Sequence, residues 1–123
     1  IIHDRGALIA GVTDGANGSY FVWPDGMAYR CQPFPQASVV DTTGAGDSFH
    51  GAFLSKLAEL IRQENALHDE FIKPIDILQS LDHKQLESAA IFASAVSALN
   101  TQGIGGRSAL PSLKSSCNLA GLE

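Results

Sequence analysis

Two acids and three small residues stand together in the run Asp41-Thr42-Thr43-Gly44-Ala45-Gly46-Asp47. Glycines at 44 and 46 open backbone conformations closed to other residues. Successive amide N–H groups can then converge on one concavity that binds anions. Beyond Asp47 the apolar residues take a helical period. Phe49, Phe53, Leu57 and Leu60 fall on one face, so a helix starting at about Asp47 turns its positive end toward the same spot. Such a place suits a transferring phosphoryl group, which carries its charge on equatorial oxygens and needs no covalent step from the protein. A carboxylate beside an anion hole repels phosphate. Its use there is to accept the proton of an attacking hydroxyl, help worth roughly 10²–10⁴ in rate. Asp47 serves equally well as an N-terminal cap of the helix, and spacing alone leaves base and cap even.

The elements that must position this run are legible around it. Ala7 to Thr13 is a short apolar run bounded by glycines and reads as a buried strand. Asp14 to Gly18 is a turn cluster. Ser19–Trp23 is aromatic and β-branched and reads as a strand, and Met27–Gln32 returns as the next after the tight turn Pro24-Asp25-Gly26, which makes 19–32 a hairpin. Ser38-Val39-Val40 reads as a brief strand feeding the glycine run, and the helix after it extends to about residue 61. Residues 62–81 are mixed and polar, a surface connection with a short helical piece. Asp82 with Gln85 forms a capping-box start for a helix to about Asn100. That helix is apolar nearly all round, hence buried, and Gly103 reads as its terminator. Pro111 opens a last short helix. Strand-turn-helix at 38–61 favours an α/β layer structure.

Bulk properties bound the function. The 123 residues suit one domain, and nearly half are apolar. A chain this size can bury roughly two-thirds of its unfolded surface. A net charge of −5 argues against a nucleic-acid partner, because phosphate backbones recruit basic surfaces. Cys31 and Cys117 lack metal-ligand spacing and read as reduced thiols of a cytoplasmic protein. No basic segment precedes an apolar run in the manner of a signal peptide, and no stretch approaches the ~20 residues of a membrane span. The opening Ile1-Ile2-His3-Asp4-Arg5-Gly6 has no initiator Met and enters an apolar run at once, as expected of a piece of a larger protein.

The segment DTTGAGDSFHGAF at 41–53 closely resembles the C-terminal signature of the ribokinase-like (PfkB) carbohydrate kinase family. Val12 to Gly18 resembles that family's nucleotide-site turn, and Asn100 to Ser112 its closing segment. The likeness spans most of 1–112, with 62–81 the poorest match. It implies a three-layer α/β/α sandwich, of which this chain supplies the C-terminal nucleotide-binding part. The sugar-recognition motif and β-lid of the family's N-terminal half have no counterpart here. It further implies an ATP-dependent kinase acting on a sugar hydroxyl, with Asp47 as the base and the amides of Gly44, Ala45, Gly46 and Asp47 as the anion hole. Thr13, Gly15, Gly18 and Gly103 would lie at the nucleotide. Asp41, Thr43, Ala98, Thr101, Gly103 and Ser108 would hold a monovalent cation such as K⁺, and Mg²⁺ would accompany ATP. A homodimer of the full-length protein goes with the same resemblance.

Competing readings remain beside this one. A catalytically incompetent fragment or nucleotide-binding module follows from the missing half. A dinucleotide fold would read Gly44 and Gly46 as its fingerprint, but the next glycine is Gly51 and Asp47 intrudes. The lysine-bearing phosphate loop is absent. His50 reads as a surface or packing residue, and His3, His68 and His83 as solvated. Trp23 and Tyr20 read as sheet packing rather than as a stacking platform. Arg107 reads equally as a phosphate ligand and as a solvated loop residue.

Overall fold

A computed structural model of the chain describes residues 3–35 and 38–122; the apolar Ile1 and Ile2 lie outside them. Strands β1 (Ala10–Thr13), β2 (Ser19–Val22) and β3 (Ala28–Cys31) form an antiparallel meander in the order β1-β2-β3. Four α-helices follow: α1 (Ala45–Ala66), α2 (Pro74–Ser80), α3 (His83–Asn100) and α4 (Leu113–Ala120).

The strand register explains which residues meet the helices. Gly11, Phe21 and Tyr29 stand in one row across the sheet, and Val12, Tyr20 and Arg30 in the next. Adjacent rows point to opposite faces. The Phe21 row meets α1 and α3. Phe21 stacks on Trp23 and packs against Phe53, both at 4.9 Å between ring centroids. Phe49, Phe53, Leu57 and Leu60 are all buried, so the helical period expected from the sequence is the core face of α1. Each such side chain contributes about 1.5–3 kcal/mol of burial free energy. Against them lie Leu86, Ala89, Ala90 and Ala93 of α3, each fully inaccessible. Alanines there let the two helix backbones approach closely. The opposite sheet face is exposed: Val12 is 60% accessible, and the Arg30 guanidinium lies 5.5 Å over the Tyr20 ring. Trp23 is therefore core packing as read, whereas Tyr20 is a surface residue.

Local signals fix the helix ends. Asp82 Oδ1 accepts the Gln85 amide at 2.8 Å and Gln85 Oε1 accepts the Asp82 amide at 3.0 Å, the reciprocal capping box. Pro74 opens α2 at its first turn. Ser112, rather than Pro111, caps α4 by accepting the Ser115 amide. The connection between α1 and α2 hangs on Asn65, whose carboxamide both donates to the Ile72 carbonyl (3.1 Å) and accepts the Ile72 amide (2.8 Å). The chain between them is thereby closed as a loop.

Several expectations are corrected. The first strand covers only Ala10–Thr13, at the sheet edge, and is not buried. Ser38 to Val40 forms no strand; Val39 and Val40 are each 55% exposed. Their β-branched character is real, yet no strand among the described residues lies beside them, and the Val40 amide bonds instead to the Thr101 carbonyl. Helix α1 begins at Ala45, two residues early, and continues to Ala66. Gly103 is not a helix terminator. α3 ends at Asn100 with Thr101 in a right-handed conformation, and a Cβ at Gly103 would lie 2.6 Å from Ala109 Cβ. This glycine serves close approach within the loop. His83 is not simply solvated: its Nε2 lies 2.6 Å from Asp25 Oδ2, joining the hairpin turn to the start of α3.

Candidate functional site

Gly44 sets the site's backbone. It is the N-cap of α1, held left-handed at φ 76°, and its carbonyl accepts the first helical bond from Ser48 at 2.9 Å. Glycine adopts that conformation without steric cost. Gly46, by contrast, has ordinary helical geometry; it leaves open space where a side chain would project. The first amides of a helix have no intrahelical acceptor. The Ala45 amide is satisfied by the Thr42 carbonyl at 3.1 Å. Among the described residues the amides of Gly44, Gly46 and Asp47 have no such partner, and they share the positive end of a 22-residue helix. Asp47 sits in the first helical turn and is exposed, and among the described residues its carboxylate makes no hydrogen bond.

Two loops are tied together behind this turn. Asp41 Oδ1 accepts the Thr43 amide (2.9 Å) and hydroxyl (2.7 Å), and Oδ2 accepts the Gly105 amide at 2.8 Å. The Gly105 bond, then the two from Thr43, hold the Asp41 carboxyl below its ordinary range. The Thr101 carbonyl accepts both the Val40 and Asp41 amides (2.8 and 3.1 Å). Asn100, fully buried, donates to the Gly106 carbonyl at 3.3 Å. Gly106 in turn lies against Gly44, so that a Cβ on Gly44 would meet Gly106 Cα at 2.7 Å.

A cleft of about 650 Å³ opens between the sheet, the N-terminal turn of α1 and the last turns of α3. It brings together Thr13, Gly15 and Gly18 of the turn region, Ala45 and Gly46 of the motif, and Ala98 and Thr101 of α3. Pro33, Phe34 and Pro35 also line it. Asp47 and Arg107 line a second cleft of about 470 Å³ with Gly106, Phe92 and Pro111. Gly103, Thr43 and Ser108 line neither; Thr43 is bonded to Asp41, and Ser108 donates to the Ile104 carbonyl inside the closing loop. Sequence reading overlooked Ser94 and Ser97, which share the larger cleft. Their signal was present: Ser94, Ser97 and Thr101 recur at three and four residues along an otherwise apolar helix, a hydroxyl stripe on one face.

The expected monovalent-cation residues form a set of hard oxygens with one carboxylate, the donor chemistry that suits such an ion. The Asp41 carboxylate already accepts three hydrogen bonds, one of them from the Thr43 hydroxyl. The Thr101 carbonyl likewise accepts two amides, and Ala98's carbonyl accepts the Thr101 hydroxyl at 2.7 Å. Among the described residues no group of three His, Cys, Asp or Glu side chains is placed to hold a metal ion, and no helix is long and apolar enough to cross a membrane.

The sequence matches the pfkB family carbohydrate kinases over residues 2–113. It is 31% identical over 116 residues to the bifunctional ribokinase/ribose-5-phosphate isomerase A of Fructilactobacillus sanfranciscensis, a span of 94% of this chain and 17% of that protein. Among solved structures it is similar to the aminoimidazole riboside kinase of Salmonella enterica, complexed with aminoimidazole riboside and an ATP analog, at a TM-score of 0.70 and 26% identity over 97% of this chain and 33% of that one. It is similar also to the Arabidopsis thaliana ribokinase complexed with ribose and ATP, at a TM-score of 0.67 and 26% identity over 98% of this chain and 31% of that one. The chain thus spans about a third of the length of these solved relatives, and its sheet and helices are part of a ribokinase-like α/β fold. It belongs to the pfkB family of carbohydrate kinases.

Proposed function

We propose that this chain is the nucleotide- and phosphoryl-binding portion of an ATP-dependent sugar kinase. The observation that carries the reading is the turn Gly44–Asp47. Three amides without a described partner stand at the positive end of α1, and the carboxylate of Asp47 on the same turn is committed to no hydrogen bond among the described residues. A capping role would have used that carboxylate. As base it would accept the proton of the sugar hydroxyl, while the amides of Gly44, Gly46 and Asp47 stabilise the transferring group. The Ala45 amide contributes less, being pledged to Thr42.

ATP would occupy the larger cleft, with Thr13, Gly15 and Gly18 beside it. Gly103 would act indirectly, through the closing loop. Mg²⁺ would arrive with the phosphates of the nucleotide. A monovalent cation such as K⁺ would sit by Asp41 and Thr43, with carbonyl oxygens of Ala98 and Gly103 and the Ser108 hydroxyl as further ligands. The sugar would be held by the family's N-terminal half, which these residues do not represent.

A second reading, a nucleotide-binding module without transfer activity of its own, is favoured by Asp47 lining a different cleft from Thr13, Gly46 and Ala98. Assay with ATP and a panel of aldoses and ketoses, of the chain alone and of the protein that also carries a sugar-binding half, separates the two. Phosphorylated sugar supports the kinase reading; ATP binding with no transfer supports the module. Preference for NAD over ATP would sink both.

A further inference from the structure

The Ala45 carbonyl accepts two hydroxyls, Ser48 Oγ at 3.0 Å and Ser97 Oγ at 2.9 Å. The bond from Ser48 is a local one within the helix. The bond from Ser97 arrives from α3, 52 residues along the chain. That carbonyl belongs to the same planar peptide unit as the Gly46 amide. Holding its oxygen therefore fixes the direction of the Gly46 N–H. Donation to the oxygen also draws electron density from the nitrogen and makes the N–H a stronger donor. Ser97, Ala45 and Gly46 line the same cleft. Within α3 a serine at this place costs helix propensity relative to the alanines around it, so the hydroxyl is not explained by the helix itself.

We propose that Ser97 is a positioning residue for phosphate binding: through the Ala45 carbonyl it aims and polarises the Gly46 amide at the transferring phosphoryl group. This rests on the reading of Gly44–Asp47 as an anion hole. Ser97 need not touch the nucleotide to do so.

Ser97→Ala in the full chain tests it, since alanine keeps the helix. Calorimetric titration would use ATP, inorganic tripolyphosphate and adenosine, and the Gly46 amide ¹⁵N resonance would be followed without ligand. The expected result is an affinity for ATP and tripolyphosphate lowered about fivefold, the loss of roughly one hydrogen bond's net worth. Adenosine affinity stays unchanged, and the Gly46 ¹⁵N resonance moves. An unmoved Gly46 resonance overturns the proposal. So does an unchanged ATP affinity, or an equal loss for adenosine, which is what a merely structural serine would give. A wild-type chain that binds neither ATP nor tripolyphosphate overturns the anion-hole reading itself, and this inference with it; the two failures are thus distinct.

Discussion

The backbones of Gly44 and Gly106 cross in contact, so that any Cβ on Gly44 would stand 2.7 Å from Gly106 Cα and 3.0 Å from its carbonyl oxygen. The glycine motif is thereby locked to the closing loop, with Asn100 holding the Gly106 carbonyl from behind. The shape of the Gly44–Asp47 turn depends on both loops at once.

Gly44→Ala should destabilise the fold and disable the site together. Alanine at φ 76° is strained by about 1–3 kcal/mol, and the obstacle is backbone, which cannot swing aside. Thermal unfolding should show a lowered midpoint, and an ATP titration of the folded variant should show affinity lost. Gly46→Ala should leave stability nearly unchanged, because its Cβ meets nothing.

Asp41 makes part of the stability pH-dependent. Its folded pKa is depressed by the Gly105 amide and by Thr43, so its contribution is fully present above the ordinary value of 3.8 and is lost as pH falls through the lower folded value. Asn at this position keeps one acceptor and loses the other. The difference in thermal midpoint between wild type and Asp41→Asn should therefore be constant near neutral pH and shrink once the pH drops below 3.8. A difference independent of pH would contradict the assignment.

Asn65→Ala should cost about 1–3 kcal/mol by urea unfolding, because two hydrogen bonds to Ile72 go at once. Its effect should be confined to stability. Any change in ATP affinity would show that the 67–73 loop communicates with the site.

In the protein that also carries a sugar-binding half, Asp47→Ala should lower phosphoryl transfer to sugar at least about a hundredfold in a steady-state assay, while ATP still binds. The removed carboxylate repels phosphate, so binding should be held or improved. Undiminished turnover would remove Asp47 as the base.

The sequence was most readable where structure is local. The Asp82–Gln85 box, the Pro24–Gly26 turn and the Phe49-to-Leu60 face each depend on residues a few positions apart, and each stands where expected. Reading failed where the deciding partner lies far along the chain. Val39 and Val40 have strand character but gain a strand only beside another one, and Thr101 takes the Val40 amide instead. Gly103 has the sequence signature of a helix terminator, yet its neighbour Ala109, not its φ, requires the glycine. At the site, spacing left Asp47 even between base and cap, and its role as base came from the resemblance of 41–53 to the family signature. The clamp from Ser97 on Ala45 was not legible, since a serine in an alanine-rich helix carries no mark of what it bonds 52 residues away.

If the turn Gly44–Asp47 receives the phosphates of ATP, its amides must respond to the nucleotide. The most direct measurement is an ¹H–¹⁵N correlation titration of the isotopically labelled chain with ATP, and with NAD as control. The Gly44, Gly46 and Asp47 amides should shift most, accompanied by Thr13 and Gly15, and NAD should leave them in place. ATP binding that moves other amides and leaves 44–47 still, or no binding at all, would contradict that role of the turn.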